Sequence, residues 1–572
     1  MGSELNDAER RLWEAFAHGT QVDLGPGEPA APEFTVDGWG PDRTVRAEVI
    51  ARLLLGAHQG EPGYVAKVVL SGARITGQLN LNGGEVGYEV TLDRCWFDET
   101  PDLGDASGKG LFATNCRFPG LNAWNLKVSL AQFGGSRFTG PVLLTGSRIS
   151  GDLDFSGARL ANPGDTALNA QDVSVDGSVF CGSGFEAEGV IDLNGMKVQG
   201  RLDMTGARLD NAGGICVDAY QVIVERDAAF SEVNAQGQIH LRLARIGGML
   251  GLDNIKIERP PPGNDGTVFQ GELLTVGQAI VCRSSAIDGA FEIGFAKIGT
   301  GIDLSGTVIE NPGGFSIIAE GISGGDFRCI DDFRAVGTIN LISARLDRLA
   351  LQSGRLAAAE TEVDLYQATV GTLDITEGAL AGRMHLSGLT YQRIPLLPIK
   401  KLLRWLRNDP DGYHPQPYEQ LATYYRANGD DREARRTLLA KRRAHRRYLG
   451  RPQPWWRWIR KVPGWAMDGL AGYGYAPGRA VFWLAVALGT GTWVLRDALP
   501  PDRLTEPTAS RTGNAFLLAA DSLVPTSPFG LRDAAELTGT ALVTAIVLQV
   551  LGYALSIAVL PAVTRALSRS EK

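Results

Sequence analysis

The stretch Leu193–Leu209, LNGMKVQGRLDMTGARL, decides the fold. Its apolar positions Leu193, Val198, Leu202 with Met204, and Leu209 fall about five apart, and Leu202-Asp203-Met204 alternates as a short strand does. Gly and Ser/Thr fill the gaps, which suits corners, since Gly adopts positive φ without steric cost. A helix needs apolar residues three and four apart and is weakened by a Gly every five or six residues. The phrase returns as LTGSRISGDLDFSGARL at Leu144–Leu160 and LSGARITGQLNLNG at Leu70–Gly83. Fainter copies begin at Leu241, Glu292, Leu341 and Leu365.

Repetition on this scale marks a solenoid. Leu144 to Leu193 is 49 residues and Leu193 to Leu241 is 48, most simply two coils of roughly 20–25 residues each. Short strands joined by Gly corners predict a mainly β fold, a right-handed parallel β-helix, running from about Lys67 to Tyr391. Glycine agrees: 72 of 572 residues, about 13% against a usual ~7%. With 44% hydrophobic residues, a disordered Gly-rich chain is excluded.

Charge divides the chain. From Lys400 onward 25 Lys+Arg face 14 Asp+Glu, a net of +11; subtraction from the totals of 56 and 64 leaves 31 against 50, a net of −19, for residues 1–399. A basic part of this kind points to an anionic surface. That surface is suggested by sixteen uncharged residues between Arg479 and Arg496 and twenty-eight between Glu536 and Arg565. About 20 apolar residues cross a bilayer, so two membrane-spanning helices are expected. Twelve Lys/Arg against the single acid Glu433 over Arg432–Lys461 place both ends in the cytoplasm by the positive-inside rule, in a multi-pass protein of the plasma membrane. The amphipathic start MGSELNDAERRLWEAF has no apolar signal core, so export is not expected.

A membrane collar is expected from Arg442, Arg443, Arg446 and Arg447, then Trp455, Trp456, Arg457, Trp458, Arg460, Lys461 and Trp465. Indole rings favour the membrane interface, and each cation near an anionic leaflet is worth about 1 kcal/mol. Nucleic acid is the competing partner for such a patch, and position just before a span favours lipid. The predicted domains are a helical cap over 1–66, the solenoid over 67–393, a basic helical connector and collar over 394–461, and a transmembrane module over 462–572. Within these, helices are predicted over Asp42–Leu55, Ile399–Leu406, from Pro417, and over Arg432–Tyr448. The connector helices would shield the last coil, and Asp42–Leu55 the first.

The phrases RTVRAEVIARLL, LSGARITGQLNL, QPYEQLATYYRANGDDREARR, GYGYAPGRAVFW and DSLVPTSPFG resemble a group of actinobacterial membrane proteins related to the pentapeptide-repeat proteins, over nearly the whole chain. Members often carry the label membrane-associated oxidoreductase, so the resemblance implies a membrane module and, by its label, redox activity. Many steps here are six residues rather than five, a departure from the strict repeat.

No residue chemistry supports the redox label. Gly247-Gly248-Met249-Leu250-Gly251 and Gly299-Thr300-Gly301 lie inside repeats and lead into strands, whereas a dinucleotide turn leads into a helix. Cys95, Cys116, Cys181, Cys216, Cys282 and Cys329 never approach CxxC spacing and sit at repeat positions. His240 and His385 take places otherwise held by Asp or Asn, and no metal-ligand spacing is seen. Asp154, Asp203, Asp303 and Asp374 recur at one place in the repeat, which suggests a stripe: a solvated face by default, or a glycoside-cleaving pair or a cation-binding row. Asn514–Val524 between the spans suggests a two-helix channel, but no TVGYG-like filter accompanies it.

The sequence therefore reads as a membrane-anchored scaffold presenting a repetitive surface to a protein partner. No catalytic residue, cofactor or metal is expected, and homo-oligomer formation is left open. An enzyme, a channel and an acidic nucleic-acid mimic are the alternatives, the last opposed by the anchor.

Overall fold

The computed structural model describes residues 5–31, 34–259, 266–357, 360–395, 397–448, 477–498, 511–524 and 539–567. They fall into two units, Met1–Asp411 and Gly412–Lys572. The first is a parallel β-solenoid of about 14 turns. Each typical coil has four short strands, here a to d, as in Arg148–Ile149 (a), Leu153–Asp154 (b) and the two ends of Arg159–Asn169 (c and d). Strands a and b stack into one sheet, c and d into another, all parallel, and in register except at bulges.

The long repeat period has a structural origin. Arg137 pairs with Arg159, 22 residues on; Arg159 pairs with Glu186, 27 on; Glu186 with Arg208, 22 on; Arg208 with Asn234, 26 on. Short and long coils alternate, so two coils make the 48–49 residue unit. The extra residues form β-bulges inside the eleven-residue strands Arg159–Asn169, Arg208–Asp218 and Val308–Ile318. Each bulge is tied the same way: the side-chain amides of Asn162, Asn211 and Asn311 donate to the carbonyls of Thr166, Ile215 and Phe315, all at 2.8 Å. A glycine of the next coil faces each bulge. Gly189, Gly237 and Gly337 have φ of +118°, +142° and +115°, and a Cβ there would stand 2.5–2.9 Å from the carbonyl oxygen of the clasping Asn.

Corners explain the recurring Gly. One residue per corner sits at positive φ, as Gly146, Gly157, Gly195 and Gly206 do, and the same corners elsewhere carry Asn115, Asn125 or Asp172. Inside, apolar residues stack coil on coil: the rings of Phe97, Phe118 and Phe138 are 4.5 and 4.8 Å apart.

Both solenoid ends are closed. Helix α1 (Asp7–His18) begins with a capping box between Asn6 and Glu9 and buries Leu12 and Phe16. The predicted helix over Asp42–Leu55 is shorter: Thr44–Arg46 is a c strand paired with Arg74–Thr76, and α2 covers only Ala47–Leu54. Pairing wins because Val45 and Ile75 sit side by side in the core. Glu9 is buried and binds Arg46 through both carboxylate oxygens at 2.8–3.0 Å; burial opposes its charge, but those bonds hold its pKa below the usual value. At the far end, α3 (Ile399–Trp405) buries Leu402 and Trp405, whose indole N–H donates to Met384 Sδ at 3.3 Å.

The second unit holds α4 (Pro415–Ala427) and α5 (Asp431–Tyr448), close to the predicted bounds, with Asp430 accepting the Glu433 amide as N-cap. It also holds α6 (Pro477–Ala498), α7 (Arg511–Leu523) and α8 (Thr540–Leu567). Among the described residues, no helix is long and apolar enough to cross a membrane. The described side chains of α8 run from Thr540 to Tyr553.

Candidate functional site

The predicted acidic stripe exists as a register position, not as a cluster. On the b ladder Asp154 is followed by Phe180, then Asp203, and Asp303 by Arg328, Ala350 and Asp374. Asp154 and Asp203 are thus two coils apart, about 10 Å at 4.8 Å per strand, wider than a glycoside-cleaving pair needs. Three of these acids serve the fold locally. Asp154, Asp203 and Asp303 accept the amides of Ser156, Thr205 and Ser305 at 2.8, 3.0 and 3.1 Å, closing Asx turns at the corner. Asp374 instead binds Arg348 and Gln352.

The cysteines are equally structural. All six are buried and free. Cys116 Sγ accepts the Cys95 amide at 3.3 Å, and Ser136 Oγ accepts the Cys116 amide at 3.0 Å, one step further along the column. Burial pushes the Cys216 and Cys282 thiols up to about 12, and those of Cys116, Cys181 and Cys329 are raised as well. A protonated buried thiol is a poor nucleophile, so these residues do not support dithiol redox chemistry.

One polar cluster escaped the sequence reading. His385 ends the d ladder that passes through Asn340 and Asp364, as its place in the repeat implied. Among the described residues no further coil follows it, and the loop after α3 folds back instead. His385 Nδ1 lies 2.8 Å from Asp411 and Nε2 2.7 Å from Glu362, which also binds Arg383 at 3.1 Å. Asp409 is buried and accepts the amides of Leu386 at 3.2 Å and Asp411 at 3.0 Å. In the preceding coil the equivalent amide, Leu365, donates to the His385 carbonyl. Asp409 therefore supplies the acceptor that a missing coil would have supplied.

His385, Asp409 and Asp411 are near enough to share a cation. However, both ring nitrogens face carboxylates, an arrangement that favours imidazolium, whereas a metal requires a ring lone pair. Burial alone would lower the His385 pKa; the bonds to Asp411 and Glu362 outweigh it, and the pKa is raised. The cluster acts as a charged clasp on the solenoid's end. It escaped notice because its members lie over twenty residues apart and meet only where the repeat stops.

Of the predicted collar, Arg442, Arg443, Arg446 and Arg447 lie on the last turns of α5, with Arg442 and Arg447 exposed. Trp455, Trp456, Arg457, Trp458, Arg460, Lys461 and Trp465 lie outside the described residues. Between α6, α7 and α8 the described buried apolar cluster holds alanine and leucine in equal number: Ala487, Ala515, Ala519 and Ala541 with Leu495, Leu518, Leu523 and Leu548. A Cβ on Gly552 would stand 1.9 Å from the Leu523 carbonyl, so α8 and α7 touch nearly backbone to backbone. Other large apolar side chains face outward, Phe482, Trp493, Val543, Ile546 and Val550 among them.

These features define a capped parallel β-solenoid joined in one chain to a helical unit. No family model, curated protein or solved structure matches the chain.

Proposed function

We propose that the chain is a scaffold of the plasma membrane, with the solenoid and both termini on the cytoplasmic side, as in the actinobacterial membrane proteins it resembles. The observation that carries this reading is the inverted polarity of α6–α8. The interior pairs alanine with leucine and also takes in Asp521 and Ser522, both fully buried, while side chains such as Trp493 (73% exposed) and Val550 (63%) face out. Water penalises a continuous apolar exterior of that kind, and lipid rewards it. The uncharged run 537–564 is long enough to span when the whole of it is counted. Scaffolding is favoured over catalysis because the recurring Asp, Asn, Gly and Cys residues have local structural tasks, leaving the ladders as surface.

The test is reconstitution of the full chain from detergent into neutral phosphatidylcholine vesicles. The chain is expected to float with the vesicles and to resist extraction at alkaline pH. Recovery in the aqueous fraction after detergent removal overturns the reading.

A further inference from the structure

Each a strand opens on one outward residue, and register aligns these into a straight row. Six of them are cations: Lys127, Arg148, Lys197, Arg245, Lys297 and Arg345. After Arg148 they recur on alternate coils, with Ser174, Ile223, Thr275 and Ser323 on the steps between. All six are exposed, and none makes an ion pair or a side-chain hydrogen bond among the described residues. That is unusual in this body, whose net charge over residues 1–399 is −19. On the c ladder, by contrast, Arg74, Arg159, Arg208 and Arg334 are paired with Asp98, Glu186, Glu186 and Glu310 at 3.0–3.7 Å. Acids beside the row are few, and one of them, Glu85, opens an a strand two ladder steps before Lys127. Asp176, Glu225 and Asp347 stand two residues along, and none pairs with the six. Glu272 at the neighbouring corner is taken by Arg242 at 3.2 Å.

A second observation lies beside the row. The corner residue two places before each a strand sits at positive φ, and Gly146, Gly195 and Gly321 fill it in some coils. In three consecutive coils it is instead Leu243, Leu273 and Phe295, at φ of 58°, 60° and 56°. Left-handed backbone is unfavourable for such residues. Leu273 is 46% exposed and Phe295 49%, so core packing does not repay the strain. Strained, exposed apolar residues beside unpaired cations describe an interfacial membrane surface.

The shape agrees. Nine ladder steps from Lys127 to Arg345, at about 4.8 Å each, make a row about 43 Å long. Two surface depressions lie off the row, one lined by Glu186, Arg208 and Asp210 and another by Phe180, Asp203 and Glu232. A straight row of this length suits a flat partner. At about 10 Å the alternate cations are separated by more than the ~8 Å screening length at physiological salt, so they repel one another little before docking.

We propose that this face of the solenoid docks on an anionic lipid bilayer, its cations over the headgroups and Leu273 and Phe295 entering the boundary with the acyl chains. For its setting the proposal rests on the membrane reading above.

The full chain, reconstituted into neutral vesicles and into vesicles containing phosphatidylglycerol, is treated with a water-soluble lysine-acetylating reagent, and each site is followed by mass spectrometry. Lys127, Lys197 and Lys297 should react about fivefold more slowly with the anionic vesicles only, and high salt should erase the difference. Lys67 and Lys256 serve as controls and should not change. The double variant Leu273→Asn, Phe295→Asn suits the left-handed corners better and should melt at a higher temperature, yet lose the protection. A merely structural corner would give the higher melting temperature with protection intact, which counts against docking. Equal reactivity in both vesicle types, with the chain still floating, overturns this proposal and leaves the anchor standing. Flotation with anionic vesicles alone, the three lysines protected, removes the anchor and supports the face. Protection by polyphosphate or RNA without vesicles, but not by vesicles, identifies a polymer partner and overturns docking on lipid.

Discussion

Single side chains finish what the repeat begins. Asp409 and His385 are the clearest case, because the solenoid's last coil would otherwise leave the Leu386 amide without the acceptor every earlier coil provides. His385 has a raised pKa in the folded chain. A raised histidine pKa gives stability that is full below the unfolded value of about 6.5 and fades as pH rises through the folded value. The melting temperature of the C-terminal coils should therefore fall from pH 6 toward pH 8. In His385→Asn this slope should flatten, with a loss of about 1–3 kcal/mol at pH 6. Circular dichroism melts over that pH range check both, and an unchanged slope in the variant would remove the clasp. His385's place on the polar ladder was legible in the sequence, since Asp and Asn hold equivalent positions. Its partners were not, because Asp409 and Asp411 belong to no repeat and only the chain's return after α3 brings them near.

At the scale of elements, the strand and corner pattern was legible because β-solenoid geometry is nearly all local. A strand lasts as long as the alternation of Leu202-Asp203-Met204. The corners signalled by Gly, Asn or Asp are legible, whereas those held by residues such as Gln221, Leu243 or Phe295 at positive φ are not. The 48–49 residue period was legible as two coils, but not the reason that alternate coils differ in length. That reason lies in bulges whose clasp spans two coils, Asn211 to Ile215 in one and Gly237 in the next. The helix expected over Asp42–Leu55 began too early for a related reason: three residues with adequate helical spacing gained more by pairing with Arg74–Thr76. The bulge carries its own prediction. Gly237→Ala places a methyl 2.8 Å from the Gly214 carbonyl and 2.9 Å from that of Asn211, at φ +142°. We expect a loss of about 2–3 kcal/mol. Asn211→Ala alone should cost about 1 kcal/mol. The double variant should cost less than the sum, because both changes loosen one bulge. Denaturant titration of the three variants checks this, and strict additivity would mean the clasp and the glycine act separately.

For the whole molecule, composition divides the chain into an acidic repeat body and a basic, apolar remainder, and it overstates how directly the second part reveals a membrane. Uncharged runs alone suggest spans, yet among the described residues no helix is long and apolar enough to cross a membrane. The stronger sign is packing, which sequence alone does not display: which face of each helix is buried. Alanines meet in the middle of α6–α8 while Val543, Ile546 and Val550 point away. This outward face is what the proposed membrane setting rests on. Changing those three residues to Lys would improve an ordinary soluble bundle, since they lie outside its core. In a bilayer each Lys near the centre of a span costs about 2.5–3.5 kcal/mol on insertion scales, somewhat less where the stem reaches the interface. The triple variant should therefore leave the vesicle fraction, while Ala541→Ser, a small change at the buried seam, should stay with it. Flotation of the variants beside the parent chain separates the two media. If the triple Lys variant floats as well as the parent, the outward face of α8 does not meet lipid, and the basic face of the solenoid would have to hold the chain at the membrane alone.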